Sequence, residues 1–445
     1  MPKKRLFLVF TRGRQFSHFT HAPMPVAGNK YYKTRVDARR WQLSLDPFDP
    51  STLARCTHVA KSWLALSDNP SGSPILMTYA TSVEPRWLLG LSAASHRVPL
   101  VLVGPSMPAW KWYEGGATRK VPGVLRALQV LHEVLPHAPV ALVDSSDLLI
   151  ANEFMPEHAE LVRNLGPQSV MAGGECNSWP VCFRSLYASH PEFQRCVAAR
   201  HAPCYPNGGV QIAPSPGTLS EYLRSLISML EATRRLPTPA ERGYDQAALH
   251  RLYLGQGGVG QGGVASPLND EVTKYRTNRS ASAPLGPRLR VDGESSLVLQ
   301  LWSCSADGPS TRSRGGKGGW EYCSDVRHEP LTRISTVTGS ARSVTLRYNG
   351  SEGVVTRPWL LHANGRHSHM GAPALQRLLR HYVGVARGPS SLPPAQGEHA
   401  RAAALPLMPD DVRWGHPVLV LESYSEGACF TTTLGGLLNR SSAAY

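Results

Sequence analysis

From residue 74 onward, short uninterrupted apolar runs alternate with stretches in which apolar residues recur every three or four positions. Residues 75–81 form the first apolar run and end in small polar residues. Residues 98–104 and 139–143 form two more. Between them, residues 87–95 carry Trp87, Leu88 and Leu91 at helical spacing, and 121–135 carry Val124, Leu125, Leu128, Leu131 and Val134 on one helical face. Uninterrupted apolar strands are those covered on both faces. Their alternation with amphipathic helices predicts an α/β fold, a central mostly parallel sheet flanked by helices. In such open sheets ligands bind beyond the carboxyl ends of the strands.

Further along, 219–230 and 244–253 read as helices, 297–302, 343–348 and 359–363 as strands, and 374–383 as a closing helix. Residues 1–70 read as an N-terminal extension of unassigned role, with one strand-like run at 6–10. Residues 71–387 form the main domain, with Gly-, Pro- and Ser-rich flexible insertions near 255–290 and 305–319. Residues 388–445 read as a partly loose C-terminal extension holding one short strand, 417–422.

Composition narrows the function classes. With 42% hydrophobic residues the chain can bury a core, which excludes global disorder. No stretch approaches the roughly 18 uninterrupted apolar residues of a membrane span, so no transmembrane segment is expected. The net charge of +15 favours anionic partners. The cations are dispersed, however, and cluster only at Lys3, Lys4 and Arg5 and between Arg312 and Lys317. Zinc-finger spacing and RNA-recognition motifs are missing, so nucleic acid is not the expected partner.

The eight cysteines form no CxxC pair. Their even number permits disulfides in an oxidising compartment, with Cys196–Cys204 and Cys304–Cys323 able to close short loops; buried thiols are the other reading. Sequons at Asn278, Asn349 and Asn439 are compatible with secretion. The apolar run at 6–10 is too short for a signal-peptide core, so the sequence shows no clear signal peptide and leaves a cytoplasmic location open.

Three segments carry chemistry. In Val143-Asp144-Ser145-Ser146-Asp147 a buried strand delivers two carboxylates, three positions apart, to its carboxyl end. Unpaired charges are costly beside an apolar core. A divalent cation of the Mg²⁺ or Mn²⁺ type would relieve that cost, especially with diphosphate oxygens completing its shell. A helix N-cap is the competing explanation. The second segment, His362-Ala363-Asn364-Gly365, puts an imidazole and a glycine turn after a strand. It suits either a metal ligand or an ordinary loop histidine, with His367 and His369 close by. Gly115-Gly116-Ala117-Thr118-Arg119-Lys120 opens a helix with glycines and a cation, suited to an anion, but it lacks P-loop spacing.

Taken in order, these motifs resemble the glycosyltransferase domain of the procollagen lysyl hydroxylase/glucosyltransferase (PLOD) family. The residues at 75–81 are similar to its first strand, and Gly115 to Lys120 to its Gly-rich turn. Asp144-Ser145-Ser146-Asp147 resembles its DSYD metal motif, and Glu175 with Trp179-Pro180 its AE…WP segment. Asn207-Gly208-Gly209 resembles NSGG. Tyr244-Asp245-Gln246 with Arg251-Leu252-Tyr253 resembles DDQ…RLYL. Val291-Asp292 with Leu299-Gln300 resembles LD…FQ, and His362 to Gly365 resembles HGNG. The chain departs from the pattern where Ser146 replaces a tyrosine able to stack on the uracil, and where Glu241-Arg242-Gly243-Tyr244-Asp245 retains one acid of an acidic run. No iron-dependent oxygenase triad is visible, so hydroxylase activity is not implied.

The resemblance implies a GT-A-like nucleotide-sugar-binding fold and a Mn²⁺- or Mg²⁺-dependent transferase. It would move glucose or galactose from a UDP-sugar to a hydroxyl of a protein or glycan acceptor, of hydroxylysine type in the family itself. It implies Asp144, Asp147 and His362 as metal ligands, and Thr81, Trp112, Lys120, Ser146 and Gly365 at the donor site, with Trp110 competing for the role of Trp112. Glu175 and Asp245 would be catalytic, Asp245 nearest the transferred hexose. Trp179, Asn207 and Gly208 would bind substrate. For Asp245 helix capping, and for Trp179 a place in the core, are the competing explanations. The resemblance also implies the secretory pathway (endoplasmic reticulum/Golgi). The departures leave open an inactive relative serving as a binding or scaffold module.

Overall fold

A computed structural model describes residues 47–69, 71–79, 87–104, 116–145, 148–175, 177–178, 187, 190–198, 204–233, 245–256, 286–300, 302–305, 311–315, 320–324, 327–330, 334–338, 345–348, 355–362, 413–421 and 429–443. Helix α1 (Pro50–Leu66) starts where Asp49 accepts the backbone N–H groups of Ser51 and Thr52 and Pro50 supplies a preset φ. Then come β1 (Ile75–Tyr79), α2 (Leu88–His96), β2 (Leu100–Val103), α3 (Gly116–Val134), β3 (Val140–Val143), β4 (Leu148–Ile150), α4 (Pro156–Arg163), β5 (Ser169–Glu175), β6 (Asn177–Ser178), α5 (Pro191–Ala198), β7 (Tyr205–Ala213), α6 (Pro216–Thr233) and α7 (Asp245–Gln256). Strands β8 (Arg288–Asp292) and β9 (Val298–Gln300) precede β10 (Trp302–Ser305), β11 (Thr311–Gly315), β12 (Trp320–Ser324), β13 (Arg327–Pro330), β14 (Ile334–Thr338), β15 (Thr345–Tyr348), β16 (Val355–Thr356) and β17 (Leu360–His362). The last described elements are β18 (Pro417–Leu421), β19 (Cys429–Thr433) and α8 (Leu434–Ala443).

Eight strands form one sheet in the order β19-β18-β2-β1-β3-β7-β5-β8. All run in one direction except β7 and the edge strand β19. The architecture is thus α/β with a mostly parallel central sheet flanked by helices, as the apolar runs predict. Strands β1, β2 and β3 are buried along their whole length. Alternate residues feed opposite faces. Leu76, Leu100 and Leu102 pack with Leu89 and Leu91 of α2 and with Leu360 and Leu361 of β17. Ile75, Met77 and Val101 pack with Trp63 of α1, Leu128 of α3, Leu223 of α6 and Leu249 of α7.

The described strands also form four smaller sheets. One joins β4, β17 and β9; the others are β10–β13, β11–β12–β6 and β14–β15–β16. Strand β11 falls inside 305–319, a stretch that reads from its composition as a flexible insertion. It pairs with β12 over five register positions, from Thr311↔Ser324 to Gly315↔Trp320. Likewise the end of 255–290 enters β8, which pairs with β5; residues 257–285 lie outside the described residues. The sequence-predicted strand at 6–10 and helix at 374–383 also lie outside them.

Both terminal stretches that the sequence sets apart contribute to the core. Helix α1 buries Thr52, Cys56, Ala60 and Trp63, and the Trp63 indole donates to the Pro417 carbonyl of β18 at 3.3 Å. Strand β18 pairs with β2 along four positions. A disulfide, Cys56–Cys429, ties α1 to β19 across 373 residues of chain. A second, Cys196–Cys204, closes the short loop foreseen in the sequence. Among the described residues no helix is long and apolar enough to cross a membrane.

Two stability predictions follow from these contacts. In the chain-entropy account, losing the long-range Cys56–Cys429 crosslink by Cys429→Ser should cost about 6 kcal/mol and losing Cys196–Cys204 by Cys204→Ser about 2.5 kcal/mol. Calorimetric unfolding of the two variants should rank them in that order, and equal midpoints would contradict it. The second prediction concerns His416, whose Nε2 lies 3.0 Å from the Val98 carbonyl. Burial pushes its imidazole from 6.5 down to about 4. Between those pH values the unfolded chain binds a proton that the native ring refuses, so stability is lost as pH falls through this window. The loss attributable to this ring should be about 3 kcal/mol, read as a flattened acid limb in denaturant unfolding of His416→Gln.

Candidate active site

The carboxyl ends of β1, β2, β3 and β5 lie along one edge of the central sheet. Because β7 runs the other way, its first residues arrive at that same edge, beside the ends of β3 and β5. Asp144 directly follows β3, and its N–H donates to the Gly209 carbonyl of β7 at 2.8 Å. The turn carrying it is fixed from two sides. Thr78 Oγ1, fully buried, donates to the Val143 carbonyl at 2.9 Å. The Trp87 indole donates to the Ser145 carbonyl at 3.0 Å. That indole lies against Gly90, where a Cβ would fall 2.3 Å from the ring. Trp87 therefore positions the acidic turn, although its sequence reading is simply that of a helix residue.

His362 ends β17 and comes to the same place from far along the chain. In register it sits between Gln300 of β9 and Leu148 of β4, the first described residue after Asp147. Its ring is 1% exposed, and Nε2 lies 3.9 Å from Asp144 Oδ2, which is 39% exposed. The ring rests on the backbone of Gly209: a Cβ there would stand 2.1 Å from His362 Cε1. Its Nδ1 is 2.9 Å from Gln300 Nε2.

This pair fits a divalent cation. Two bonds of about 2.1 Å to a single ion reach across separations up to about 4.2 Å, and a carboxylate with an imidazole suits Mn²⁺ or Mg²⁺ completed by phosphate oxygens. Among the described residues no group of three or more histidine, cysteine or acidic side chains is gathered to hold a metal. Asp147, the third expected ligand, lies outside the described residues.

Beside the pair, the Asn207-Gly208-Gly209 segment is held by a buried polar network. Glu175, at the end of β5, accepts from Asn207 Nδ2 at 3.1 Å and from Gln246 Nε2 at 2.7 Å. Asn207 Oδ1 accepts the Gly209 N–H at 2.7 Å, and Gln246 Oε1 accepts the Gly208 N–H at 2.6 Å. Gln246 Nε2 also donates to the Pro206 carbonyl and lies 3.2 Å from His250 Nε2. The other ring nitrogen of His250 meets the Tyr187 hydroxyl. Both Glu175 oxygens are therefore engaged, which makes this carboxylate an anchor for the β7 start. Three links run from Glu175 through Asn207 and Gly209 to Asp144.

Asp245 opens α7 half-buried, with Oδ1 accepting the N–H of Gln246 at 2.9 Å. It lines a narrow cleft with Gly208, Gln211 and Tyr222. Burial, and secondarily the Asp245 charge, pushes the Tyr222 phenol well above its ordinary range. Lys120 sits in the first part of α3, where only its backbone is described. Thr81, Trp110, Trp112, Ser146, Trp179 and Gly365 lie outside the described residues. The structure thus brings together Asp144, His362, Glu175, Asn207 and Gly208, and places Asp245 one residue from the network. Gln246, Gln300, Gly209 and His250 are the contributors not singled out from sequence. The first three stand inside quoted motifs, so their positions were visible but their contacts were not.

No family model matches the chain, and no curated protein is significantly similar to it.

Gly209 gives a direct test of the geometry. Gly209→Ala should displace the His362 ring, because the added methyl would overlap it, and should weaken Mn²⁺ binding by about 10–100-fold. Mn²⁺ titration followed by electron paramagnetic resonance reads this. Wild-type affinity in Gly209→Ala would show that ring and carbonyl platform are not coupled.

Proposed function

We propose that this chain is a metal-dependent glycosyltransferase of GT-A-like type, moving a hexose, glucose or galactose, from a UDP-sugar to a hydroxyl of a protein or glycan acceptor. One observation carries the reading. A carboxylate at the end of a parallel strand and an imidazole from a remote strand meet 3.9 Å apart on the sheet edge where such folds bind ligands. The ordered resemblance to the procollagen glycosyltransferase domain supplies the substrate class.

Asp144, Asp147 and His362 would hold the cation. When bound, a divalent ion supplies Lewis-acid stabilisation of the charge that develops on the departing diphosphate. Lys120, near the amino end of α3, is suited to pair with phosphate. Thr81, Trp112, Ser146 and Gly365 complete the donor site in this reading. The fixed backbone of Asn207, Gly208 and Gly209 shapes the floor beneath the sugar, and Trp179 is assigned to the acceptor in this reading. Asp245, beside the cleft with Tyr222, is assigned to the hexose and its anomeric carbon. Glu175 serves by holding that floor rigid, so the donor groups keep their spacing without reorganisation. The two disulfides among the described residues support an oxidising compartment, in keeping with the secretory pathway.

Hydrolysis of UDP-glucose and UDP-galactose in Mn²⁺ tests the assignment. Wild type should turn over one of them, and Asp144→Ala and His362→Ala should each lose at least about 100-fold. Equal turnover in all three proteins would refute it. A thermal shift with UDP and Mn²⁺ but no turnover in any protein would instead identify a binding module on the same site.

A further inference from the structure

The register of the small sheet sets Gln300 directly beside His362, β9 and β17 running in parallel. Both side chains are buried, each 1% exposed. Gln300 Nε2 lies 2.9 Å from His362 Nδ1, and Gln300 Oε1 is buried with no hydrogen-bond partner among the described residues. The amide is confined there. A Cβ on Gly173 would lie 3.5 Å from Gln300 Nε2 and 3.2 Å from Val298 Cγ1, so β5 closes the space behind it.

The two ends of a glutamine amide are alike in shape and opposite in hydrogen bonding. With Nε2 toward the ring, the amide donates to Nδ1 and the neutral imidazole keeps its proton on Nε2. A protonated Nε2, 3.9 Å from Asp144 Oδ2, has no lone pair with which to bind a cation. Half a turn of the amide puts Oε1 on Nδ1 instead. Nδ1–H then donates to Oε1, the buried oxygen gains its partner, and the Nε2 lone pair faces Asp144. Histidines that bind metals through one nitrogen characteristically donate the other N–H to a fixed acceptor.

We propose that Gln300 is a positioning residue that selects the cation-binding tautomer of His362, its amide turning to accept Nδ1–H. This rests on the reading of Asp144 and His362 as cation ligands. It adds a residue to which the resemblance gave no role.

The test uses the full chain and Mn²⁺ alone. Gln300→Met keeps the volume and removes the acceptor, and should weaken Mn²⁺ binding by about 10–100-fold. Gln300→Glu keeps the shape but offers only acceptors and should restore affinity to within about threefold of wild type, a rescue that an amide-donor role would not give. The second readout needs no variant at Gln300. In ¹⁵N-histidine spectra of the Mg²⁺-saturated wild type, assigned by comparison with His362→Ala, the ring should carry its proton on Nδ1. Wild-type affinity in Gln300→Met, or a proton on Nε2 in the Mg²⁺-saturated ring, would overturn the proposal while leaving the cation site standing. Failure of wild type to bind Mn²⁺ at all would overturn both.

Discussion

The site depends on one strand running the wrong way. In a purely parallel sheet the neighbours of β3 would present only their carboxyl ends at the ligand edge. Because β7 is antiparallel, its starting residues arrive there too, and the Gly209 carbonyl receives the Asp144 N–H at 2.8 Å. The same glycine leaves room for the His362 ring, which no residue with a Cβ could do without displacing it. Backbone capture of the acid and steric accommodation of the imidazole are thus one constraint, exerted by one residue.

The surrounding network makes that constraint rigid. Buried polar groups are costly unless paired, and here the amides of Asn207 and Gln246 pair with Glu175 while their oxygens take the N–H groups of Gly209 and Gly208. A glycine-rich segment that would be mobile in isolation is held at each step by a side chain. Glu175 therefore contributes through geometry, and Asp245, one residue before Gln246 and partly exposed, is the carboxylate left facing the cleft.

The parallel half of the sheet was legible because buried-on-both-faces strands are continuous apolar runs: 75–79, 100–103 and 140–143 could be read almost to the residue. Of the strands that build the site, β3, β9 and β17 were legible in the same way, but β5 and β7 were not. Strand β7 contains Pro206, Asn207, Gly208 and Gly209, a composition that reads as a turn, and β5 carries Gly173 and Gly174. Helix α1 escaped for another reason: its buried stripe is Thr52, Cys56, Ala60 and Trp63, too small and polar in part to register as an apolar face. The chemistry at 144 and 362 was visible as motifs, but their meeting depends on the pairing of β17 between β4 and β9, which no local pattern encodes. Gln300 is no different, because its partner His362 is supplied only by strand register.

The central claim is that one divalent ion is shared by His362 and a nucleotide diphosphate. Pulsed electron–nuclear double resonance on the Mn²⁺-loaded protein with UDP addresses this most directly. The account predicts a directly bound ¹⁴N coupling that disappears in His362→Ala, together with ³¹P coupling from the UDP on the same ion. A bound Mn²⁺ showing phosphorus coupling but no histidine nitrogen would contradict it.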